Sequence, residues 1–309
     1  MRFCLHAPLG VITPGEFQNM AAVSKVAGAL ETAGIDACYV TDHPAPDAQW
    51  LHANGHDALD PFTALGFLAA ASTRLLLMSF VVVLPYRNPF ITAKAGATLQ
   101  VLSGGRFIMG AGGGYQKVEF EAVGVDFHRR GALFNEALEV IDMAWRGGAV
   151  VKQGSSFNAI GNEPRPVPVP RPPIWIGGST DKAVERAAKW GDGWLPVFAQ
   201  PTLAKINRET FIQTEDELRV KIDRLKELRH AAGRTGTFEI GMAPRNKVEF
   251  GTLAGADRYL EDMSRLAEAG VTWGIGDLPH ATLQEYLDAV QWFGEEVIAR
   301  MDTGPKGHS

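Results

Sequence analysis

The chain has 309 residues, 46% hydrophobic and 21% charged, with a formal net charge of −5. That composition belongs to an ordinary globular protein with enough apolar residues for a large core, and the length permits either two domains or one α/β barrel. Mild acidity and scattered Lys and Arg exclude nucleic acid as the main partner, because neutralising phosphates takes a basic patch.

The elements alternate along the chain. Residues 2–7 ("RFCLHA") read as a first strand. A helix from Glu16 to Ala33 follows, with Phe17, Met20, Ala21, Val23, Ala27 and Leu30 at helical spacing and Gly34 as its stop. Residues 36–42 ("DACYVTD") form strand two, and a polar loop runs to Asp57. A helix covers Pro61 to Ser72, with proline tolerated in its first turn. The continuous apolar run at 75–84 suits a strand covered on both faces. Residues 90–102 form a helix, "RFIMGAG" strand four, and Gly131 to Trp145 the next helix.

The Gly- and Pro-rich stretch at 147–172 interrupts the rhythm and reads as an excursion, a small hairpin followed by an extended arm. Alternation then resumes. The strands are "PIWIGG", "GDGWLPV", "FEIGMAP" and "VTWGIGD", and the helices cover 180–190, 215–232, 256–269 and 282–300. Eight strands, each followed by a helix, are the count of a (β/α)8 TIM barrel. A doubly wound open sheet shares the alternation and is the alternative. The whole chain, 1–309, is expected to form one barrel domain with an insertion at about 147–172.

Cys4 and Cys38 lie in apolar strands and read as buried thiols; neither a disulfide framework nor a zinc–cysteine site is expected. No run approaches about 18 apolar residues, so no membrane segment is expected. The N-terminus lacks the apolar stretch of a signal peptide, which leaves the cytoplasm as the expected location.

In a barrel of this kind catalytic groups sit at the C-terminal strand ends. Those ends carry His6, Asp42 and His43, Ser79 to Leu84, the glycine run after strand four, Gly177-Gly178-Ser179, Trp194, Arg245-Asn246 and Asp277. The run "RFIMGAGGGY" looks like a dinucleotide-binding turn. However, the third glycine of that pattern would fall on Tyr115, and the next convincing helix waits until about Gly131. Glycines at a strand end instead let the backbone approach a ligand closely. "IGGST" has two readings, an anion site at a helix N-terminus or a glycine turn with Ser179 or Thr180 as cap. His43 also has two, a proton-transfer group or a strand-end histidine bonded to Asp42. His52 and His56 lie four apart, but Asn54-Gly55 between them signals a turn, and no metal site is expected.

Three separated stretches carry a resemblance: "YVTDHP", "VVVLPYRNPFITAKAGATLQVLSGGRFIMGAGGGYQKVEFEAVGVDFHRRG" and "RPPIWIGGSTDKAVERAAKWGDGWLP". Together they resemble the luciferase-like flavin and deazaflavin oxidoreductase superfamily, most closely the branch that uses coenzyme F420. The resemblance implies a barrel with an excursion between strands four and five. It also implies a cofactor ring over Ser79, Phe80 and Val81, with a non-proline cis peptide at Phe80–Val81. The cofactor phosphate would be held by Gly112, Gly113 and Gly114 and by Gly177, Gly178 and Ser179. His43 matches the histidine that F420-using relatives place beside the ring, with Asp42 expected to orient it.

Two departures from the family pattern bear on the cofactor and the substrate. Gly113 stands where bacterial luciferase has an arginine that grips the FMN phosphate, which weakens the case for FMN. Tyr115 stands where sugar-phosphate dehydrogenases of the F420 branch carry a glutamate. A carboxylate partner for His43 is therefore expected to be missing, and glucose-6-phosphate oxidation is not expected. Tyr115 itself reads either as a ring-stacking or hydroxyl-donating group or as a wall of the pocket.

The expected function is hydride transfer between F420 and a small organic substrate. The alternatives are an FMNH2-dependent monooxygenase on the same barrel and a non-catalytic F420-binding protein, with a metal-dependent hydrolase more distant. The family also implies a homodimer.

Overall fold

Continuous apolar runs favour parallel strands buried on both faces, and the runs read above pair in that way. The computed structural model describes residues 1–11, 15–53, 55–199, 211–246 and 248–302. Its strands are β1 (Arg2–His6), β2 (Ala37–Val40), β3 (Leu76–Ser79), β4 (Val82–Val83), β5 (Phe107–Gly112), β6 (Val150–Gln153), β7 (Asn158–Asn162), β8 (Ile174–Gly177), β9 (Gly193–Leu195), β10 (Glu239–Met242) and β11 (Trp273–Gly276). The helices are α1 (Met20–Thr32), α2 (Ala48–His52), α3 (Pro61–Ala71), α4 (Pro89–Leu102), α5 (Lys117–Ala122), α6 (Arg130–Arg146), α7 (Asp181–Trp190), α8 (Glu215–Ala231), α9 (Leu253–Glu268), α10 (Leu283–Phe293) and α11 (Ala299–Asp302).

The main sheet runs β3-β2-β1-β11-β10-β9-β8-β5-β4, and a further β3–β5 pairing closes it. β3 and β4 both pair with β5, Met78 opposite Ile108 and Val82 opposite Ala111. They are two halves of one barrel strand, so the closed parallel barrel has eight strands, surrounded by helices as expected. The other parallel pairs include Leu5 with Gly276, Cys4 with Ala37, and Trp175 with Gly193.

Strand alternation divides the core in two. Cys4, Ala37, Tyr39, Met78, Ile108, Trp175, Leu195, Trp273 and Ile275 form one buried cluster inside the barrel. The alternate residues, such as Phe3, Leu5, Cys38, Val40, Leu77, Phe107 and Met109, join the larger cluster under the helices. Cys4 and Cys38 therefore lie on opposite faces as free, buried thiols, and burial pushes Cys38 up to about 12. Thr180, Thr214, Thr252 and Thr282 cap α7 to α10 by accepting an N–H from the third helical residue, each cap contributing about 1 kcal/mol.

Several boundaries differ from expectation. α1 starts at Met20 rather than Glu16 because the Asn19 side chain accepts from Ala22 N–H at 2.9 Å and stops the helix there. Two short helices, α2 and α5, occupy stretches expected to be loops. α2 ends at His52, so His52 and His56 do not share a helix face; Asn54, of the expected Asn54-Gly55 turn, lies outside the described residues. Strand three is broken between Ser79 and Val82, where the Phe80–Val81 peptide is cis. The excursion forms the antiparallel β6–β7 hairpin. The last helix continues past α10 through one π turn, Gly294–Ile298, into α11.

Trp175 fills the barrel interior, edge-on to Trp273 with ring centroids 5.4 Å apart. A Cβ on Gly193 would stand 2.6 Å from its ring, so the neighbouring strand leaves it no slack. Trp175→Ala should destabilise the fold by about 3–5 kcal/mol, the usual cost of truncating a buried aromatic. Chemical denaturation monitored by circular dichroism measures it.

Candidate active site

The glycine run of β5 is shaped first by its neighbour strand. A Cβ on Gly110 would stand 2.0 Å from the Ser79 carbonyl oxygen, and one on Gly112 2.5 Å from Val81 Cγ2. Ser79 is buried and its hydroxyl donates to the Gly110 carbonyl at 3.0 Å. Gly114 has φ +74°, and a Cβ there would stand 2.7 Å from both Phe120 and Val83. On the other side of Val81, a Cβ on Gly177 would stand 3.1 Å from its Cγ1. Val81 is thus wedged between the two glycine turns.

What the turns leave accessible is mostly backbone. Gly113, Gly114, Gly177 and Gly178 are partly exposed, as are Phe80 and Val81, whereas Gly112 and Ser179 are buried. The Ser179 hydroxyl donates to Val197 O at 3.1 Å and accepts from Val197 N–H at 2.9 Å. Trp194 Nε1 donates to Gly178 O at 2.7 Å and braces the turn from behind. Thr180 provides the side-chain cap of α7.

His43 stands at the end of β2 with its side chain nearly buried. Its Nδ1 lies 3.2 Å from Glu119 Oε2, and that carboxylate is 1% exposed. Glu119 also accepts from Tyr86 Oη at 2.9 Å and, through Oε1, from Ala45 N–H at 3.1 Å. Burial pushes the Glu119 carboxyl up, but the hydrogen bonds from His43, Ala45 and Tyr86, with the charge of His43, outweigh it and leave the group below its ordinary value. Burial likewise raises Tyr86 and keeps its hydroxyl a donor. An Nδ1–H held by a carboxylate leaves Nε2 as the basic atom of the ring.

The carboxylate partner expected to be missing is therefore present, four residues beyond Tyr115. α5 brings it in, ended by Gly124 at φ +73° with Val125 N–H reaching back to Phe120 O. The alternation of Phe120 with polar neighbours before Gly124 was the available signal, but six residues fall short of a recognisable helical period.

Asp42 does not orient His43. Its Oδ1 accepts from Arg87 at 2.8 Å and its Oδ2 from Val83 N–H at 3.0 Å, so it ties the start of β4 and Arg87 to β2. Burial raises its carboxyl in spite of Arg87.

Around His43 the rings of Trp50, His56 and Tyr115 lie with centroids at 4.7, 5.1 and 6.0 Å. Partial burial and the neighbouring His43 push His56 down to about 4, which keeps it neutral at physiological pH. On the adjacent strand ends, His6 Nδ1 meets Asp277 Oδ1 at 3.1 Å. Arg245 and Asn246 point elsewhere, to Gln213 O and Asp262.

The closed barrel with these glycine turns is a (β/α)8 barrel of the luciferase-like kind. The sequence profile of luciferase-like monooxygenases matches residues 1–246, and the chain belongs to that family. An uncharacterized protein of Mycobacterium tuberculosis is 29% identical over 297 residues, covering 89% of this chain and 94% of that one. The F420-dependent glucose-6-phosphate dehydrogenase of Beutenbergia cavernae is 34% identical over 173 residues, which span 53% of this chain and 49% of that one. Among solved structures, the monooxygenase RslO1 from Streptomyces bottropensis superposes with a TM-score of 0.77 at 19% identity, over 97% of this chain and all of that one. Named relatives are thus oxidoreductases or monooxygenases. No helix among the described residues is long and apolar enough to cross a membrane.

Two tests address the site's construction. Gly110→Ala should cost much of the fold's stability, since its methyl meets backbone. Gly113→Ala, whose nearest neighbour would be Phe134 at 3.6 Å, should leave the melting temperature nearly unchanged. Glu119 makes the second test. A carboxylate lowered in the folded state adds stability that is present above its unfolded value near pH 4.3 and lost as pH falls through the folded one. Glu119→Gln should therefore lower the urea midpoint at neutral pH and flatten its fall on acidification.

Proposed function

We propose that the protein is an oxidoreductase that moves a hydride between coenzyme F420 and a small organic substrate, with His43 handling the accompanying proton. The observation that carries this reading is the His43–Glu119 pair, set at the strand ends beside the glycine turn that leads into Tyr115. The F420-dependent relative, similar over half of the chain, supports the cofactor. So does Gly113, where an FMN-gripping arginine would be expected from the resemblance.

The residues fit such a group. Phe80 and Val81 offer a partly exposed apolar face, and the side chain of Val81 brings the two turns together. Gly113, Gly114, Gly177 and Gly178 would present backbone to the phosphate, with the N-terminus of α7 just beyond. When bound, F420 supplies the hydride-transferring ring.

The chain's own residues do the rest. Glu119 holds the Nδ1–H tautomer of His43, so that Nε2 can take or give a proton at the substrate. Trp50, His56 and Tyr115 enclose that imidazole in rings, with His56 held neutral so that it does not compete as a cation. Asp42 and Arg87 fasten β4 and so hold the apolar face in register. Glu119 supplies the carboxylate partner that Tyr115 does not, so a substrate screen decides the substrate class.

Titration of the purified apo-protein with F420 and FMN, each oxidised and reduced, tests the cofactor. Tight F420 and weak FMN binding is the expected outcome; the reverse would favour FMNH2-dependent oxygenation. With F420 and a turned-over substrate, His43→Ala should lower kcat by about 10²–10⁴ and leave F420 affinity within a few-fold. Lost affinity with unchanged kcat would remove His43 from proton transfer.

A further inference from the structure

We propose that His6, Asp277 and His280 form a binding site for one first-row divalent transition-metal cation at the barrel mouth, apart from the His43–Glu119 pair. His6 ends β1, and Asp277 and His280 follow β11, the strand beside it, with Leu5 opposite Gly276. One donor atom from each residue lies within 4.8 Å of the other two. Both histidine Nδ1 atoms approach the same carboxylate oxygen, at 3.1 Å from His6 and 3.4 Å from His280. Around a cation with bonds of about 2.0–2.2 Å, neighbouring ligand atoms stand about 3–3.5 Å apart. His6 Nδ1 already has that spacing from Asp277 Oδ1, while His280 would ligate through Nε2, its Nδ1 being held by Leu278 O.

The three side chains are held in place by their surroundings. The His6 ring stacks on Tyr39 with centroids 5.1 Å apart and planes at 24°, and Tyr286 Oη donates to the His6 carbonyl at 2.5 Å. His280 donates its Nδ1–H to Leu278 O at 2.6 Å. That contact fixes the tautomer and leaves Nε2 unprotonated, which is how a ligating histidine is usually prepared. Exposure rises from 13% at the His6 side chain to 29% at His280 and 45% at Asp277. The cluster is thus walled on one side and open on the other, as in sites that keep a position for water or substrate.

Two imidazoles with one carboxylate select zinc, cobalt, nickel or ferrous iron over magnesium or calcium, which prefer all-oxygen shells. A cation at the cluster would stand at the same mouth and could anchor an oxygen of the substrate.

The test uses the full chain, stripped by chelation and free of cofactor, so its result is independent of the F420 reading. Titration with Co2+ should show one equivalent bound, with visible ligand-field absorption, and Zn2+ should displace it. His6→Gln and Asp277→Asn should each weaken binding more than about a hundredfold, since losing even an outer-shell partner costs 10- to 100-fold. His128→Gln and His230→Gln, outside the cluster, should not change it. Metal-free melting temperatures of all four variants check that each folds. No stoichiometric Co2+ binding by the parent chain, or binding that survives both cluster substitutions in folded protein, would overturn the proposal and leave a hydrogen-bonded triad.

Discussion

The contact between Ser79 and Gly110 is the constraint on which the rest of the mouth depends. β5 pairs with both halves of a broken strand through Phe107, Ile108, Ala111 and Gly112. Where it passes the break itself, against Ser79 and Val81, it has room only for glycine. The Ser79 carbonyl sits where a Cβ of Gly110 would be, and Val81 sits where Cβ atoms of Gly112 and Gly177 would crowd it. The glycines that look from the sequence like a ligand cradle are therefore first a packing solution that closes the barrel. The accessible backbone at Gly113 and Gly114 follows from that closure.

A second dependence runs through α5. Its six residues bury a single carboxylate, and that carboxylate gathers donors from three places: the ring of His43, the amide of Ala45 and the hydroxyl of Tyr86. Gln116, just before the helix, adds a bond from Asp47 N–H at 3.2 Å. A buried carboxylate is tolerated only when it is bonded in this way. Here the satisfaction of Glu119 also fixes the loop after β2 and the orientation of His43. One buried charge thus stitches the catalytic candidate to two other elements.

The same logic separates the two carboxylates near His43. Asp42 is adjacent in sequence, yet its oxygens are spent on Arg87 and Val83, on the strand side. Glu119 is 76 positions away and faces the ring. Sequence neighbours at a strand end point to opposite faces, so the residue next to His43 is the one least able to reach its imidazole.

The amino-acid sequence by itself determined the barrel. Eight apolar runs alternating with helical periods, the Gly/Pro-rich excursion at 147–172 and the three family-like stretches were legible because period, composition and turn chemistry are local properties. The glycine turns were legible from the glycine pattern at the strand ends, whereas the Phe80–Val81 step, and the choice between the two readings of His43, came from the family resemblance alone. Only the tertiary structure decided what each of these touches. Glu119 as the partner of His43, Asp42 as a strand fastener, Ser179 as a turn brace and the meeting of His6 with Asp277 and His280 all join residues far apart in the chain or turned to different faces. Such contacts are set by barrel closure and by the need to satisfy buried polar groups, and a short stretch of sequence encodes neither.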